Sequence, residues 1–403
     1  MNIKNIKSQF PIFQQQLNGY DFIYFDSAST AQVPDVVIAA SSAFYESYKS
    51  NVGRGIYQHA ETATLHYENA RKTVANFIGA DAREIVFTSG TTAAINMIAQ
   101  SWARHNMQAG EEIIVSDAEH HSNVLPWLEL AREKNLTVTV VPVNLQGVVD
   151  PETFEQYLSS KTRLVAIFYT SNLLGTTNDV AKITQLAHAA GARVLIDAAQ
   201  AVAHRKILVK DIACDWLVFS GHKLFGPTGV GVLYSSANVY PEMQPSVLGG
   251  GMVFSLTAAG YSWKQAPACF EAGTPAIAQA VGLAQAVEWV TENVDFALLQ
   301  RHETELVQRA GESLSAISSV VIVSHLPEPG ESSNLITFYS TKVHAHDIAA
   351  HLDSSGIAVR AGNHCVQPYH EKRGVSATVR LSFSVYNTAA ELDFCLKRLE
   401  EIL

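Results

Sequence analysis

EIVFTSGTTAAINMIAQSWARHN, residues 84–106, sets the reading of the whole chain. EIVFTS (84–89) is an apolar, β-branched run of strand length, and AAINMIAQSWARHN (93–106) has the length and residues of a helix. Gly90-Thr91-Thr92 is the punctuation between them. The pattern then repeats. EIIVSD (112–117) reads as a strand and NVLPWLELAREKN (123–135) as a helix. TVTVVPV, RLVAIFYT and RVLIDAA read as further strands, with the helix DVAKITQLAHAAG (179–191) before the last of them. DWLVFSG and GVGVLYS complete the series. Near-continuous apolar strands separated by helices predict an α/β fold with a mainly parallel sheet sandwiched by helices.

The pattern changes after about residue 280. A long helical stretch, AIAQAVGLAQAVEWV onward, leads to shorter strands such as NLITFYS and VRLSFSV with helices between and after them. At 403 residues the chain is too long for one ordinary core. The expected division is a large domain over 19–285 and a smaller α+β domain formed by 1–18 and the C-terminal 286–403. The formal charge of −10 argues against a nucleic-acid surface and against docking on anionic lipid, so neither partner is expected. Four scattered cysteines, Cys214, Cys269, Cys365 and Cys395, form no CxxC and read as reduced thiols of a cytoplasmic protein. MNIKNIKSQFPIF has lysines but no long apolar core, so no signal peptide is expected. No apolar run reaches the ~18 residues a membrane span needs.

In an open α/β sheet, ligands bind at the carboxyl ends of the strands, so the residues there carry the functional reading. Gly90-Thr91-Thr92 opens a helix and suits a phosphate, though threonine capping alone explains it too. His120-His121 after EIIVSD could be metal ligands, loop residues or planar partners of a cofactor; the pair alone does not choose. Asp197 ends a buried strand, where a carboxylate needs a cation nearby. SGHKLFGPTGVGVLY (220–234) sets Lys223 beside Leu224 and Phe225, an apolar setting in which an amine loses its proton more easily. Its glycines run GxxGxG, not GxGxxG, and there is no GxxxxGK[ST], which removes the dinucleotide and P-loop readings. A lysine, an acid, a planar partner and a phosphate cup at the ends of one sheet are what pyridoxal 5'-phosphate requires.

With those residues in view, the sequence resembles the class V, fold-type I pyridoxal phosphate enzymes. Within them it is most similar to the group II cysteine desulfurases of the SufS/CsdA kind. The resemblance runs from FIYFDSAST (22–30) through EHHSNVLPW (119–127), SGHKLFGPTG (220–229) and FEAGTP (270–275) to RAGNHCVQP (360–368) and VRLSFSVYNT (379–388). It implies that Lys223 holds the cofactor as an imine and that Asp197 keeps the ring nitrogen protonated. His120 would lie on the ring face and assist proton transfer, and Gln200 would meet the ring hydroxyl. Thr91, Thr92, Ser220 and His222 would hold the phosphate. Thr274 would reach the phosphate in the other subunit, which implies a homodimer. Asn172 would lie near the substrate carboxylate. Arg380 is legible from the residues as well: in VRLSFSV the polar set Arg380, Ser382 and Ser384 alternates with Leu381, Phe383 and Val385, and should face a wet or functional side. The resemblance gives Arg380 the substrate carboxylate and makes Arg360 a second active-site arginine.

Cys365 would then be the nucleophile that takes sulfur from L-cysteine as a persulfide and releases L-alanine. Only the thiolate attacks, and His364 and Arg360 are the positive neighbours expected to favour it. The short RxGxHC form implies a dedicated sulfur-acceptor protein of the SufE/CsdE or SufU type, serving iron–sulfur cluster assembly or another sulfur pathway. The alternatives on this fold are a selenocysteine lyase acting on L-selenocysteine, or another class V aminotransferase or lyase. A zinc hydrolase built on His120 and His121 is more distant. The chain departs from its relatives at Ala93, Gly53-Arg54 and DAAQ, the first two near regions the family uses between subunits. The histidines of VHAHD (343–347) have no third ligand nearby in sequence, so no metal is expected.

Overall fold

The computed structural model describes residues 3–403. Its largest element is a seven-stranded sheet. The strand order is Ile85–Thr88, Gly231–Ser235, Trp216–Ser220, Arg193–Asp197, Thr162–Phe168, Glu112–Ser116, Thr137–Val141. Gly231–Ser235 is antiparallel to both its neighbours, and every other pairing is parallel. Both faces are buried, as the apolar runs require. Ile85, Ile114, Val165, Val194 and Leu217 enter one core, while Val86, Ile113, Leu164, Leu195 and Val218 enter the other.

The helix expected over 93–106 begins at Thr91 and runs to Ile98, passes through a π turn at Ala99–Ala103, and resumes over Arg104–Asn106. The π turn carries Trp102 edge-on against Trp216, with ring centroids 5.0 Å apart. After Trp216–Ser220 the chain makes one 3-10 turn, Gly221–Lys223, and returns as the reversed strand. Gly231 must be glycine here: a Cβ would lie 2.4 Å from the Cα of Gly90. This close crossing brings the Lys223 turn beside the threonine-rich helix start.

A second sheet of four antiparallel strands has the order Val320–Ile322, Leu335–Ser340, Thr378–Ser382, Arg360–Gly362. The helices Phe296–Ser315, Ala345–Asp353 and Ala389–Glu400 bury Leu306, Ile348 and Leu396 with Ile336 and Leu381 in a separate core. The division at 18/19 and 285/286 stands as a proposal, and the packing at its N-terminal edge runs across it. At its N-terminal edge, Phe10 packs in the large sheet's core against Phe225 and Trp289, whereas Ile23 and Phe25 join the smaller sheet's core. The set Arg380, Ser382 and Ser384 is fully buried and not wet, because the N-terminal FDSAST segment lies over it: Ser382 N donates to the Phe25 carbonyl and Ala28 N to Ser382 Oγ. No helix among the described residues is long and apolar enough to cross a membrane.

Candidate active site

A cavity of about 200 Å³ lies at the carboxyl edge of the large sheet and is closed by the smaller one. Thr91, Thr92, His120, Asn172, Asp197 and Gln200 line it from the loops after the strands. Ser220, His222 and Lys223 enter from the 3-10 turn, and Arg360, Cys365 and Arg380 from the smaller sheet. Thr274 lies elsewhere, in a groove that also holds Gly53 and Arg54, within 3.3 Å of Asn51 Nδ2.

One end of the cavity is a cup of hydroxyls at a helix start. Thr91 N donates to Ser220 Oγ at 2.8 Å, and Thr91 Oγ1 lies 2.8 Å from the same oxygen. Thr92 Oγ1 and Ser122 Oγ are 2.7 Å apart. His222 Nδ1 lies 3.2 Å from Thr30 Oγ1, and burial holds this imidazole at about 4, so it is neutral at pH 7. Hydroxyls and free N–H groups at the positive end of a helix fit a phosphate.

The centre holds a lysine and an acid. Burial lowers Lys223 to about 8, opposed by the Asp197 charge and reinforced by Arg380. Burial raises Asp197, whose carboxylate has one hydrogen bond among the described residues, from Ala199 N at 2.9 Å. An under-satisfied buried carboxylate facing a cavity fits a cationic N–H donor such as a pyridinium. His120 is held at about 3 by burial and by the charge of Lys223, so its ring is neutral. Its Nδ1 accepts from Ser122 N at 3.1 Å. His121 Nε2 accepts from Gln367 N at 3.0 Å. Each histidine thus spends a lone pair on a backbone N–H, which removes the metal-pair reading. Among the described residues no group of three His, Cys, Asp or Glu side chains could hold a metal ion.

Arg380 is 2% exposed and ties the two sheets together. Its Nη1 donates to the Asn172 carbonyl at 2.8 Å and its Nη2 to Asp26 Oδ1 at 3.0 Å, while Nε has no partner among the described residues. Arg360 Nη1 donates to Ser29 Oγ. A buried guanidinium with an unused N–H beside a cavity suits a carboxylate.

Cys365 stands on a strained turn: His364 has φ 51° and Cys365 φ 59°. Backbone-directed bonds hold it. Asn172 Nδ2 donates to the His364 carbonyl at 2.8 Å, and His121 N to the Cys365 carbonyl at 2.8 Å. Among the four cysteines Cys365 alone is not buried. The expectation that His364 supplies positive charge is corrected here. Burial, with Arg380 and His370 nearby, pushes its imidazole down to about 2. The cations facing the cavity are Arg360, Arg380 and Lys223.

Comparison with known proteins decides between the chemistries this cavity could serve. Residues 23–394 match the family described as Aminotransferase class-V. A relative from Halalkalibacterium halodurans, named "Probable cysteine desulfurase", is 42% identical and covers 100% of this chain and 98% of its own. The chain belongs to the class-V aminotransferases, in their cysteine desulfurase branch. The apo cysteine desulfurase of Thermococcus onnurineus superposes with a TM-score of 0.93 at 35% identity, covering 99% of this chain and 97% of that one. The cysteine desulfurase CsdA of Escherichia coli, solved in an S-sulfonic acid form, gives 0.91 at 36%, covering 100% and 98%.

Some residues that line or support this cavity escape a reading by strand ends. Asp26 and Ser29 sit in the FDSAST segment, far in sequence from the arginines they hold. Glu119, fully buried beside His120, accepts from Ser116 Oγ, Asn123 Nδ2 and Phe168 N and so fixes the loop that aims the histidine. The motif EHHSN carries that signal, since its glutamate follows directly on the buried strand Glu112–Ser116 and its turn.

Proposed function

We propose that the chain converts L-cysteine to L-alanine and keeps the sulfur as a persulfide on Cys365, with pyridoxal phosphate held at Lys223. The observation that carries this is one cavity lined by Lys223, Asp197 and the least buried cysteine. The cofactor supplies an electron sink at the substrate's Cα. Asp197 holds the ring nitrogen's proton, His120 is the ring's planar partner, and Gln200 faces the ring hydroxyl. Thr91, Thr92, Ser220 and His222 cup the phosphate. Arg380, with Arg360 and Asn172 beside it, takes the substrate carboxylate. The Lys223 amine, close to neutral pH in its titration, can hold and return the Cα proton. The Cys365 thiolate attacks the substrate sulfur: an S–S bond forms, the C–S bond breaks, and the carbon skeleton leaves protonated as alanine.

The groove at Thr274 supports a homodimer in which this residue completes the partner's phosphate cup. The working setting is then cytoplasmic, with a protein of the SufE/CsdE or SufU type as sulfur acceptor for iron–sulfur or related assembly. The test is alanine and sulfide release from L-cysteine and from L-selenocysteine, with and without a thiol reductant, followed by persulfide trapping. Sulfur trapped on Cys365 supports the reading. Alanine from L-selenocysteine alone would make the chain a selenocysteine lyase.

A further inference from the structure

We propose that His370 is a positioning residue for the cysteine loop: acting through the Thr378 hydroxyl, it anchors the His364 ring and holds the His364–Cys365 turn in its left-handed form. Both histidines are buried, and both place Nε2 on Thr378 Oγ1, His364 at 2.9 Å and His370 at 3.1 Å.

The protons can be assigned from what each atom is able to do. His370 Nδ1 lies 3.0 Å from the Val366 carbonyl, which only accepts, so that nitrogen carries hydrogen. Burial holds His370 below the usual histidine range, which leaves the ring neutral and Nε2 a lone pair. Thr378 therefore donates to His370. Its single proton is then used, so the contact with His364 is a donation from Nε2–H into the hydroxyl oxygen. The Gly362 carbonyl, 3.2 Å from the hydroxyl, is the acceptor Thr378 would turn to if His370 were a cation. His364 is left with a buried Nδ1 lone pair that has no partner among the described residues.

The turn needs such an anchor. Positive φ at two consecutive non-glycine residues persists only where the surroundings over-determine it. The bonds from Asn172 and His121 grip the two carbonyls from the large sheet. Within the smaller domain Val366 N closes the turn on the Asn363 carbonyl at 2.9 Å, and the ring anchor adds a side-chain restraint that joins the strand Thr378–Ser382 to the helix Gln367–Lys372 that follows the loop. His364 faces Arg380 and Arg360 on the strand side and His370 on the helix side.

The test compares Thr378→Val and His370→Met, which remove the hydrogen bonds, with Thr378→Ser and His370→Gln, which keep a hydroxyl or an acceptor. All are studied as holoenzyme. The expected result is a fall of about 10- to 100-fold in kcat on L-cysteine for the first pair, with KM within about twofold. Hydrogen exchange should quicken by about tenfold or more in residues 360–367 alone. The second pair should stay within about threefold of the parent in both readouts. Parent-like kcat and exchange in the first pair would overturn the proposal. So would equal losses in all four variants with faster exchange throughout the chain, which would mark plain packing. The activity arm rests on Cys365 as sulfur acceptor, and the exchange arm does not. If Cys365→Ala keeps full activity while Thr378→Val still loosens 360–367, the acceptor reading falls and the anchor stands.

Discussion

Arg380→Lys keeps the charge at the proposed carboxylate site and removes the fork. The parent guanidinium already commits Nη1 to the Asn172 carbonyl and Nη2 to Asp26, and still has a free Nε–H. One ammonium on a flexible stem cannot serve a backbone carbonyl, a carboxylate and the substrate together. Losing one charge-assisted hydrogen bond to a carboxylate costs about 1.5–3 kcal/mol. At about 1.4 kcal/mol per tenfold, kcat/KM for L-cysteine should fall by about 10- to 150-fold. The loss should fall on KM more than on kcat, because the ground state uses the same grip. Steady-state alanine release is the assay, with cofactor absorbance and melting temperature as controls. A variant within about twofold of the parent in kcat/KM would refute the assignment. Asp26→Asn sharpens the test. It keeps an oxygen on Nη2 but removes a negative charge that competes with the substrate carboxylate, so KM should not rise. A higher KM at unchanged melting temperature would mean that Asp26 orients the arginine more than it neutralises it.

Other predictions concern the remaining centres. Cys365→Ala should lose L-cysteine turnover by about 10²-fold or more yet keep the cofactor, and parent-level desulfuration would return Cys365 to a packing role. Iodoacetamide should label Cys365 first, since burial pushes Cys269 up to about 11 and raises Cys214 and Cys395 still further; peptide mapping reads the order. In cofactor-free protein, acylation of Lys223 should rise as pH climbs toward about 8 and level off above it, because its depressed titration leaves the ammonium below that point and the amine above. Surface lysines should still be gaining at that pH, and identical profiles would contradict the buried-amine argument. Glu303→Ala leaves the buried His204 Nδ1–H without its 2.8 Å acceptor, while the Asn334 amide still meets Nε2, and should cost about 1–3 kcal/mol by chemical denaturation, whereas a loss under about 0.5 kcal/mol would show that the bond contributes little.

The large sheet and its strand-end residues were legible because topology leaves little choice. A parallel sheet sends every strand's carboxyl end to one edge, so Thr91, His120, Asn172, Asp197 and Lys223 had to converge. Long-range pairings were not legible. Asp26 and Arg380 are 354 positions apart, and no local pattern announces their bond. The polar set at Arg380 showed the period of a strand but not what would cover it. His364 misled for a related reason: its type permits a charge, and only burial against two arginines forbids one. Thr274 was read by resemblance alone, and in one chain it lines a different groove.

The lysine follows a strand of the large sheet and the cysteine a strand of the smaller one, so their separation depends on what crosses between the sheets. An apolar crossing, Val366 and Tyr369 against Ala118, Phe168, Leu173 and Leu174, is joined at the cavity by polar contacts that mostly end on backbone atoms. Asn172 Nδ2 meets the His364 carbonyl, His121 N meets the Cys365 carbonyl, Arg380 meets the Asn172 carbonyl, and Gln367 N meets His121 Nε2. A hydrogen bond to a backbone atom fixes where the chain runs whatever side chain that residue carries. Apolar packing between the domains would tolerate sliding by a few tenths of an ångström, whereas these bonds weaken steeply with angle and distance. The Cys365 thiol is therefore placed by the path of its own main chain, gripped at the His364 and Cys365 carbonyls.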